Sequence, residues 1–370
     1  MKEHNLIRIK DIISFLEAKF PPALQENYDN SGFLVGNANE VFQKAIISID
    51  FTEEVLQEAL SKEANLIITH HPLIFKGLKK LTGNNSIEKL VISCIKNNLN
   101  LYSIHTNFDN LTSGTNNYIA SKLGLLNAQV LRPLENQFLK LVVFCPKTHE
   151  EKVRQAIFEA GAGTIGNYDN CSFNAEGIGS FRASDGANPF VGAVGENHFE
   201  PETRIETILP KYLKSKVIKV MIDAHPYEEV AFDIYPVENQ ANHIGAGIVG
   251  NLPEALEPQT FLQKLKEITN AACIRHTQFV GNEIKRVAIC GGSGAYLIKD
   301  AIGQNADIYI TGDIKYHDFF EAEGKLILCD IGHYESEQFT KEILCDLLKE
   351  KFPTFAFLKS DIVTNPINYL

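Results

Sequence analysis

Short apolar runs alternate along the chain with longer stretches whose apolar positions recur every three or four residues. The runs KAIISID (44–50) and NLIITHH (65–71) have the length and β-branched content of buried strands. Between them, FTEEVLQEALSKEA (51–64) has helical spacing, and Thr52 is placed to cap the helix. Strands that alternate with helices in this way predict βαβ units and a largely parallel sheet.

The same alternation returns near the C-terminus. A strand RVAICGG (286–292) is followed by a helix AYLIKDAIGQNA (295–306) and a strand DIYITGD (307–313). Ala64–Thr69 (ANLIIT) aligns with Ala306–Thr311 (ADIYIT), and the alignment extends across strand, helix and strand without a gap. We therefore predict an α/β fold in which two pseudo-duplicated βαβ-type halves, residues 1–129 and 241–370, form one domain.

The segment between the halves has a different order of elements. Residues 130–240 are predicted to form a strand, a helix, a hairpin-like stretch CSFNAEGIGSF (171–181), a strand, a helix and a strand. This βαββαβ order is typical of a ferredoxin-like unit. We expect an inserted α+β domain, and a chain of 370 residues is longer than one hydrophobic core usually serves.

Composition narrows the class of protein. Apolar residues make up 44% of the chain and charged residues 22%, as in ordinary globular proteins. The formal net charge of −11 disfavours extended contact with nucleic acid, which needs a basic face. The seven cysteines are scattered without C-x-x-C spacing, and the N-terminal stretch interleaves charged and apolar residues unlike a signal peptide. We expect a cytoplasmic protein with reduced thiols and no membrane association.

Two adjacent histidines stand at the end of the strand in LIITHHPLIF (66–75). Neighbouring side chains on a regular strand point to opposite faces, but at its carboxyl end His70 and His71 are free to reach two ions close together. Pro72 prevents the strand from continuing. Taken alone, the pair is equally consistent with loop histidines that have incidental partners.

Two further strand ends carry similar groups. HTNFDN (105–110) offers His105 and Asp109, and GHYESEQF (332–339) offers His333 and Glu337. His333 and Glu337 are four residues apart, so on a helix they share one face. We predict that this helix continues downstream with an apolar stripe of Phe339, Ile343 and Leu347. One sheet architecture would bring all three strand ends together.

The ligand types indicate which metals would bind. Imidazole and carboxylate groups without a thiolate suit catalytic zinc, manganese or iron better than a structural zinc site. Two ions about 3.5–4 Å apart would need a bridging carboxylate between them. His105, Asp313 and His317 are candidates for orienting ligands or transferring protons, with His105 and His317 preferred for acid–base work. The alternative is that these three are polar residues at the surface or at helix ends.

Several motifs resemble those of the GTP cyclohydrolase 1 type 2 homologues, also called the Ngg1-interacting-factor-like family. In the outer segments these are DNSGFLVG, THHPLIF, HTNFDN, TGDIKYHD and GHYESE, in the family's order and spacing. In the middle segment, GAGTIGNYDNCSF and AHPYEEVAFDIYPV are similar to the PII- or CutA-like insert of the longer bacterial members. Tyr28 stands where many relatives have tryptophan, and Asp313 where they often have glutamate.

The resemblance implies a dinuclear metal site, with zinc the first choice and manganese or iron as alternatives. Asp109 would be the natural bridge and Glu337 the second candidate. It also implies a toroidal homohexamer whose metal sites face an inner cavity. The positions that match the family's ligands are His70, His71, Asp109, His333 and Glu337.

The family name records an opening of the GTP imidazole ring, yet nothing in this sequence is specific for a base. We expect a metal-dependent hydrolase that acts on a nucleotide-like, phosphorylated or cyclic amide substrate. The alternative is a non-enzymatic hexameric scaffold that binds metal, with a sensing insert. An open coordination position would distinguish the two, because catalytic sites keep one for water.

Overall fold

The computed structural model describes residues 6–370, which form two compact units. Unit 1 combines residues 6–133 with Asn242–Leu370, and unit 2 is Leu134–Ala241. None of the helices described over residues 6–370 combines the length and apolar character needed to cross a membrane.

The first segment of unit 1 contains five α-helices, a short 3₁₀ helix (Pro22–Leu24) and five strands within residues 6–133. The helices are α1 (Ile9–Lys19), α2 (Glu53–Ser61), α3 (Ser86–Lys96), α4 (Thr106–Asp109) and α5 (Thr115–Leu123). The strands are β1 (Gly32–Val35), β2 (Lys44–Ser48), β3 (Leu66–Thr69), β4 (Asn100–Ser103) and β5 (Leu126–Pro133).

Unit 2 is a four-stranded antiparallel sheet with two helices. Its elements are β6 (Phe138–Pro146), α6 (Glu150–Glu159), β7 (Phe173–Arg182), β8 (Asn197–Pro210), α7 (Lys214–Ala224) and β9 (Phe232–Val237), and the strand order is β7-β8-β6-β9. Apolar residues of the sheet and of both helices form a separate core that includes Leu141, Ile157 and Met221. The stretch 171–181, predicted to be hairpin-like, instead belongs largely to the single strand β7. This strand pairs along its length with β8, and the connection between the two strands lies at residues 183–196.

The second segment of unit 1 completes the fold. Its strands are β10 (Gly245–Leu256), β11 (Arg275–His276), β12 (Ile284–Ser293), β13 (Ile308–Gly312), β14 (Ile327–Asp330) and β15 (Ala356–Lys359). Its helices are α8 (Pro258–Thr269), α9 (Ile298–Gly303), α10 (His333–Glu337) and α11 (Thr340–Lys351).

Unit 1 has two sheets with a similar plan. The first has the order β1-β4-β3-β2-β15, and the second the order β11-β14-β13-β12-β10-β5. Strands β2, β3 and β4 are parallel with β1 antiparallel at the edge, and β12, β13 and β14 are parallel with β11 antiparallel at the edge. The predicted mixed α/β fold is confirmed.

Several of the parallel strands are buried along their whole length, as their apolar sequences predict. Every residue of β3, β4 and β14 is buried. Helices cover such sheets, so each strand reads as a continuous apolar run rather than an alternating one. The polar groups that follow these strands are therefore the first places where the chain can present chemistry.

Two predicted elements are wrong in detail. The strand whose end is predicted at HTNFDN (105–110) already ends at Ser103, and α4 then carries Asp109 on a helical turn. The helix expected to run on from His333 stops at Glu337, and α11 starts separately at Thr340. The buried residues of α11 are Thr340, Leu344, Cys345 and Leu348, and the residues of the predicted stripe are only partly buried.

Candidate metal centre

The candidate centre lies at the carboxyl ends of the parallel strands of unit 1. Asp50 follows β2, His71 follows β3, and His105 and Asp109 follow β4. The second segment adds Glu337 from α10. These side chains, together with His333, line a cavity of about 520 Å³, a size typical of small-molecule sites.

The Glu337 carboxylate lies among three imidazoles. Its Oε2 is 2.9 Å from Nε2 of His71, 3.0 Å from Nε2 of His333 and 3.6 Å from Nε2 of His70. The Nε2 atoms of His71 and His333 are themselves only 3.2 Å apart. Nitrogen and oxygen atoms this close form the arrangement that a metal ion needs.

His70 is the strongest sign that a cation fits here. Its side chain is fully buried, and Nδ1 lies 2.9 Å from the carbonyl oxygen of Ile104. A carbonyl only accepts hydrogen bonds, so Nδ1 carries a proton, and in the neutral imidazole Nε2 is the nitrogen with the lone pair. That Nε2 has no hydrogen-bond partner within residues 6–370, yet it faces Asp109 Oδ2 and Glu337 Oε2 at 3.6 Å each. A cation between these atoms would satisfy all three.

The other imidazoles are also held at Nδ1. Nδ1 of His71 is 2.7 Å from Asp50 Oδ1, and Nδ1 of His333 is 2.7 Å from Asp313 Oδ2. Metal-binding histidines are usually anchored in this way, because the outer partner fixes the ring and leaves Nε2 free for the metal.

The electrostatics of the cluster favour added positive charge. Burial opposes a charged imidazole, but hydrogen bonds to carboxylates outweigh it and raise the pKa of His71 to about 9 and of His333 to about 11. Burial alone would raise the pKa of Glu337, whereas the surrounding imidazoles hold it well below its usual range. Burial raises the pKa of Asp109 to about 7, partly offset by His70 and reinforced by the charge of Glu337. The imidazoles balance the negative charge of these carboxylates, and a divalent ion bound here would balance it more strongly.

His105 stands beside the cluster with its own carboxylate partner. Its Nδ1 is 2.9 Å from Asp29 Oδ1, and its ring centre is 5.2 Å from that of His70. Asp29 also accepts hydrogen bonds from the backbone of Asn30 at 2.7 Å and Thr106 at 3.1 Å. Burial opposes ionisation of Asp29, but these donors hold its pKa well below its usual range.

Sequence reasoning assigned no role to Asp29 or Asp50. Asp29 lies within the quoted motif DNSGFLVG, and Asp50 is the last residue of the run KAIISID. The rule that drew attention to His70, a polar group at the carboxyl end of a buried strand, applies equally to Asp50. For Asp29 the resemblance alone gave a signal.

His317 is not placed with the other candidates. Its side chain is exposed, and its ring contacts are with Tyr316 and Phe320. It is not among the residues that line the cavity. Asp313, by contrast, contacts His333 directly, so its shorter side chain still reaches the centre.

Comparison with known proteins identifies the family. The model of the Duf34/NIF3 (NGG1p interacting factor 3) family matches residues 7–366. This chain belongs to that family. The resemblance drawn from the motifs is therefore confirmed.

Relatives in the family match over nearly the whole chain. Proteins of Halalkalibacterium halodurans and Bacillus subtilis, both named GTP cyclohydrolase 1 type 2 homolog, are 37% and 38% identical over 97% and 98% of this chain and 98% of their own. A solved Bacillus cereus protein related to NIF3 is 37% identical with a TM-score of 0.87, covering 99% of this chain and all of that one. Staphylococcus aureus protein SA1388 is 30% identical with a TM-score of 0.77, covering 98% and 99% of the two chains.

Proposed function

We propose that this protein is a dinuclear metal-dependent hydrolase. The observation that carries the proposal is the position of Glu337 Oε2, within 3.6 Å of three imidazole nitrogens, one of which is buried without a hydrogen-bond partner among the described residues. A site that only stabilised the fold would not leave that nitrogen unsatisfied beside two carboxylates.

Three sets of donor atoms lie close together. One is His70, His71 and His105, and the other two share Glu337 and contain all five ligands that the resemblance implies. His71, His333 and Glu337 bring their ligand atoms within 4.8 Å of one another, and so do His70, Asp109 and Glu337. Two ions held in this way would share Glu337 as the bridge, in preference to the bridge that the resemblance implies, Asp109. Zinc is the first choice for these ligands, and manganese or iron also suit them.

When bound, such ions supply Lewis-acid activation of water and of a substrate oxygen. The chain's own residues orient and exchange protons. His105 lines the cavity and is held by Asp29, so its ring is fixed next to the ligands without being needed to hold an ion. We assign it the proton-transfer task, as in other carboxylate–imidazole pairs.

The cavity also bears on the substrate. Its volume of about 520 Å³ admits a molecule of nucleotide size, and the exposed rings of Tyr28, Phe75 and Tyr296 line it. The names of the two relatives support a nucleotide within the wider class of nucleotide-like, phosphorylated or cyclic amide substrates. A non-enzymatic metal-binding scaffold is the alternative.

Metal content tests the site. Glu337→Gln should lose metal from the purified protein, since an amide cannot supply the shared negative charge. The matched control is Glu342→Gln, in the first turn of the next helix α11 and outside the residues that line the cavity. Elemental analysis after loading with zinc, manganese or iron decides. Metal-free wild type, or a Glu337→Gln variant loaded like the control, would contradict the proposal.

Turnover tests the hydrolase. Metal-loaded protein should hydrolyse at least one member of a panel of nucleotides, phosphoesters and cyclic amides, and His105→Asn should slow that reaction. A fully loaded protein inactive on the entire panel would favour the scaffold.

We also infer the domain plan and assembly. Unit 2 is an inserted ferredoxin-like domain, supported by its βαββαβ order and its strand order β7-β8-β6-β9. The two outer segments are duplicated halves, supported by the matching triplets β2-β3-β4 and β12-β13-β14. The family resemblance supports a cytoplasmic homohexamer, and measurement of the mass in solution tests the hexamer.

A further inference from the structure

The C-terminal segment after β15 is extended and tightly held. Ser360 Oγ lies 2.5 Å from Glu58 Oε2, and Asp361 forms an ion pair with Lys62 at 2.7 Å. Ile362 packs against the apolar core formed by β2, β3, α2 and α3. The segment is therefore fixed to the first sheet before it reaches Asp50.

Thr364 extends the chain of contacts that leads to the metal ligands. Its Oγ1 donates to Asp50 Oδ2 at 2.6 Å, and the other oxygen of Asp50 is 2.7 Å from Nδ1 of His71. His71 Nε2 in turn faces Glu337 at 2.9 Å. With both oxygens engaged, the Asp50 carboxylate has one favoured orientation, and the His71 ring follows it.

The next residue contacts the helix that carries two of the proposed ligands. Asn365 Nδ2 donates to Glu335 Oε1 at 3.0 Å. Glu335 is buried on α10, the short helix that also carries His333 and Glu337. Two consecutive residues therefore contact both parts of unit 1 that supply ligands. Thr364 contacts Asp50 in the first segment, and Asn365 contacts Glu335 on α10 in the second.

We infer that Thr364 and Asn365 are positioning residues of the metal centre, with Thr364 acting through Asp50 on His71 and Asn365 acting through Glu335 on α10. This inference rests on the proposed metal centre. It assigns the C-terminal segment a role in metal affinity, although Thr364 lies 314 residues after Asp50 in the sequence.

The first test measures metal affinity in the full chain. Thr364→Val removes the hydroxyl while keeping the shape, and we expect affinity for one of the two zinc ions to fall by about 10–100-fold, the usual effect of losing an outer partner. Thr364→Ser should restore it. Competition with a chromophoric chelator measures both.

Thr340→Val is the matched control. It removes another buried hydroxyl, which bonds to the Thr115 hydroxyl at 2.8 Å rather than to any of the ligands. It should lower stability against urea without changing zinc affinity. Equal zinc affinities for wild type and Thr364→Val, or equal losses for Thr364→Val and Thr340→Val, would overturn the inference.

A second readout needs no metal. In metal-free protein, the ¹H and ¹³C resonances of the His71 ring should be alike in wild type and Thr364→Ser and shifted in Thr364→Val, because the Asp50 carboxylate then no longer fixes the ring. An unchanged pattern in Thr364→Val would overturn the positioning role. If wild type bound no metal, the proposed function would fail on that result alone, while the His71 resonances would still judge the contact through Asp50.

Discussion

Each imidazole around the cavity is fixed at Nδ1, so that Nε2 faces its neighbours. His70 uses the backbone carbonyl of Ile104, whereas His71, His105 and His333 each use an aspartate. A carboxylate partner makes an imidazole a better electron donor, and a carbonyl partner does so less. The carbonyl partner of the buried His70 therefore mainly fixes the position of its ring. The aspartate partners of the more exposed rings also make those imidazoles stronger electron donors.

Gly292 is needed at the centre because of what a side chain there would meet. Its φ is +66°, and an added Cβ would overlap the Glu337 carboxylate. We predict that Gly292→Ala displaces Glu337 and empties the metal site, in addition to about 1–2 kcal/mol of backbone strain from the left-handed conformation. Elemental analysis and urea unfolding measure the two effects.

Gly324→Ala provides the control for strain alone. Gly324 has nearly the same φ, +64°, but nothing lies within 4 Å of an added Cβ. It should lose similar stability and keep its metal. Equal metal content in the two alanine variants would show that Glu337 tolerates the intrusion.

Asp109 and His105 are expected to differ in what their loss removes. Asp109 Oδ2 faces His70 Nε2 at 3.6 Å, whereas His105 is bonded to Asp29. Asp109→Asn should therefore lose at least one metal, and His105→Asn should keep its metals and lose turnover by about 10²–10⁴-fold, as for a general acid–base group. Elemental analysis of both variants decides, and a depleted His105→Asn beside a loaded Asp109→Asn would reverse the assignments.

At the scale of elements, the sequence predicted strands better than the turns that follow them. Buried strands such as β3 are continuous apolar runs, so their ends and the polar groups there were visible. The short helix α4 was not, because the backbone N–H of His105 bonds to the Asn107 side chain and starts a turn within four residues. The break between α10 and α11 was equally hidden, since apolar spacing continues across it.

Glu88 shows how one carboxylate organises an element's start. It lies in the first turn of α3, and its Oε2 accepts hydrogen bonds from the hydroxyl and N–H of Thr82 at 2.8 Å each and from the N–H of Asn84 at 3.2 Å. These donors, the Thr82 hydroxyl first, lower the pKa of Glu88 to about 2 from 4.5. The loop that Glu88 fixes also contains Phe75, which lines the cavity.

The lowered pKa predicts how stability depends on pH. Because the folded pKa lies below the unfolded one, the contribution of Glu88 is fully present above pH 4.5 and is lost as the pH falls through about 2. Glu88→Gln should be destabilised at neutral pH, and its deficit should shrink over that acidic range in urea unfolding. Glu53→Gln, which alters an exposed first-turn contact with Gln57, is the control. A deficit for Glu88→Gln that does not change with pH would argue against the ionised carboxylate.

At the scale of the whole molecule, the centre depends on contacts that local pattern cannot reveal. Asp50 and Thr364 are 314 residues apart in sequence, and His71 and Glu337 are 266 apart. The resemblance to the family identified the ligand positions, but nothing in the sequence around Asp50 or Thr364 indicates that these two residues are in contact. Only the fold shows that the C-terminal segment passes next to β2.

The last prediction concerns the boundaries of unit 2. A cut at residues 130–240, as the sequence suggested, would remove part of β5, including the buried Leu131 that packs in the second sheet's core. The structure places the boundaries after Pro133 and before Asn242. Pro133 pairs directly with Gly245 across the antiparallel strands β5 and β10. Residues 242–244 and a short link would therefore be enough to join the two strands as a hairpin.

We therefore predict that removing Leu134–Ala241, with a short glycine-rich link from Pro133 to Asn242, leaves a soluble protein that binds as much metal as the full chain. The ligands and both sheets of unit 1 are retained. Removing 130–240 instead should give a less stable product, because β10 loses half of its edge partner. Thermal unfolding and elemental analysis of the two deletions measure this. An insoluble or metal-free product of the first deletion would show that unit 1 requires unit 2 to fold or to hold its ions.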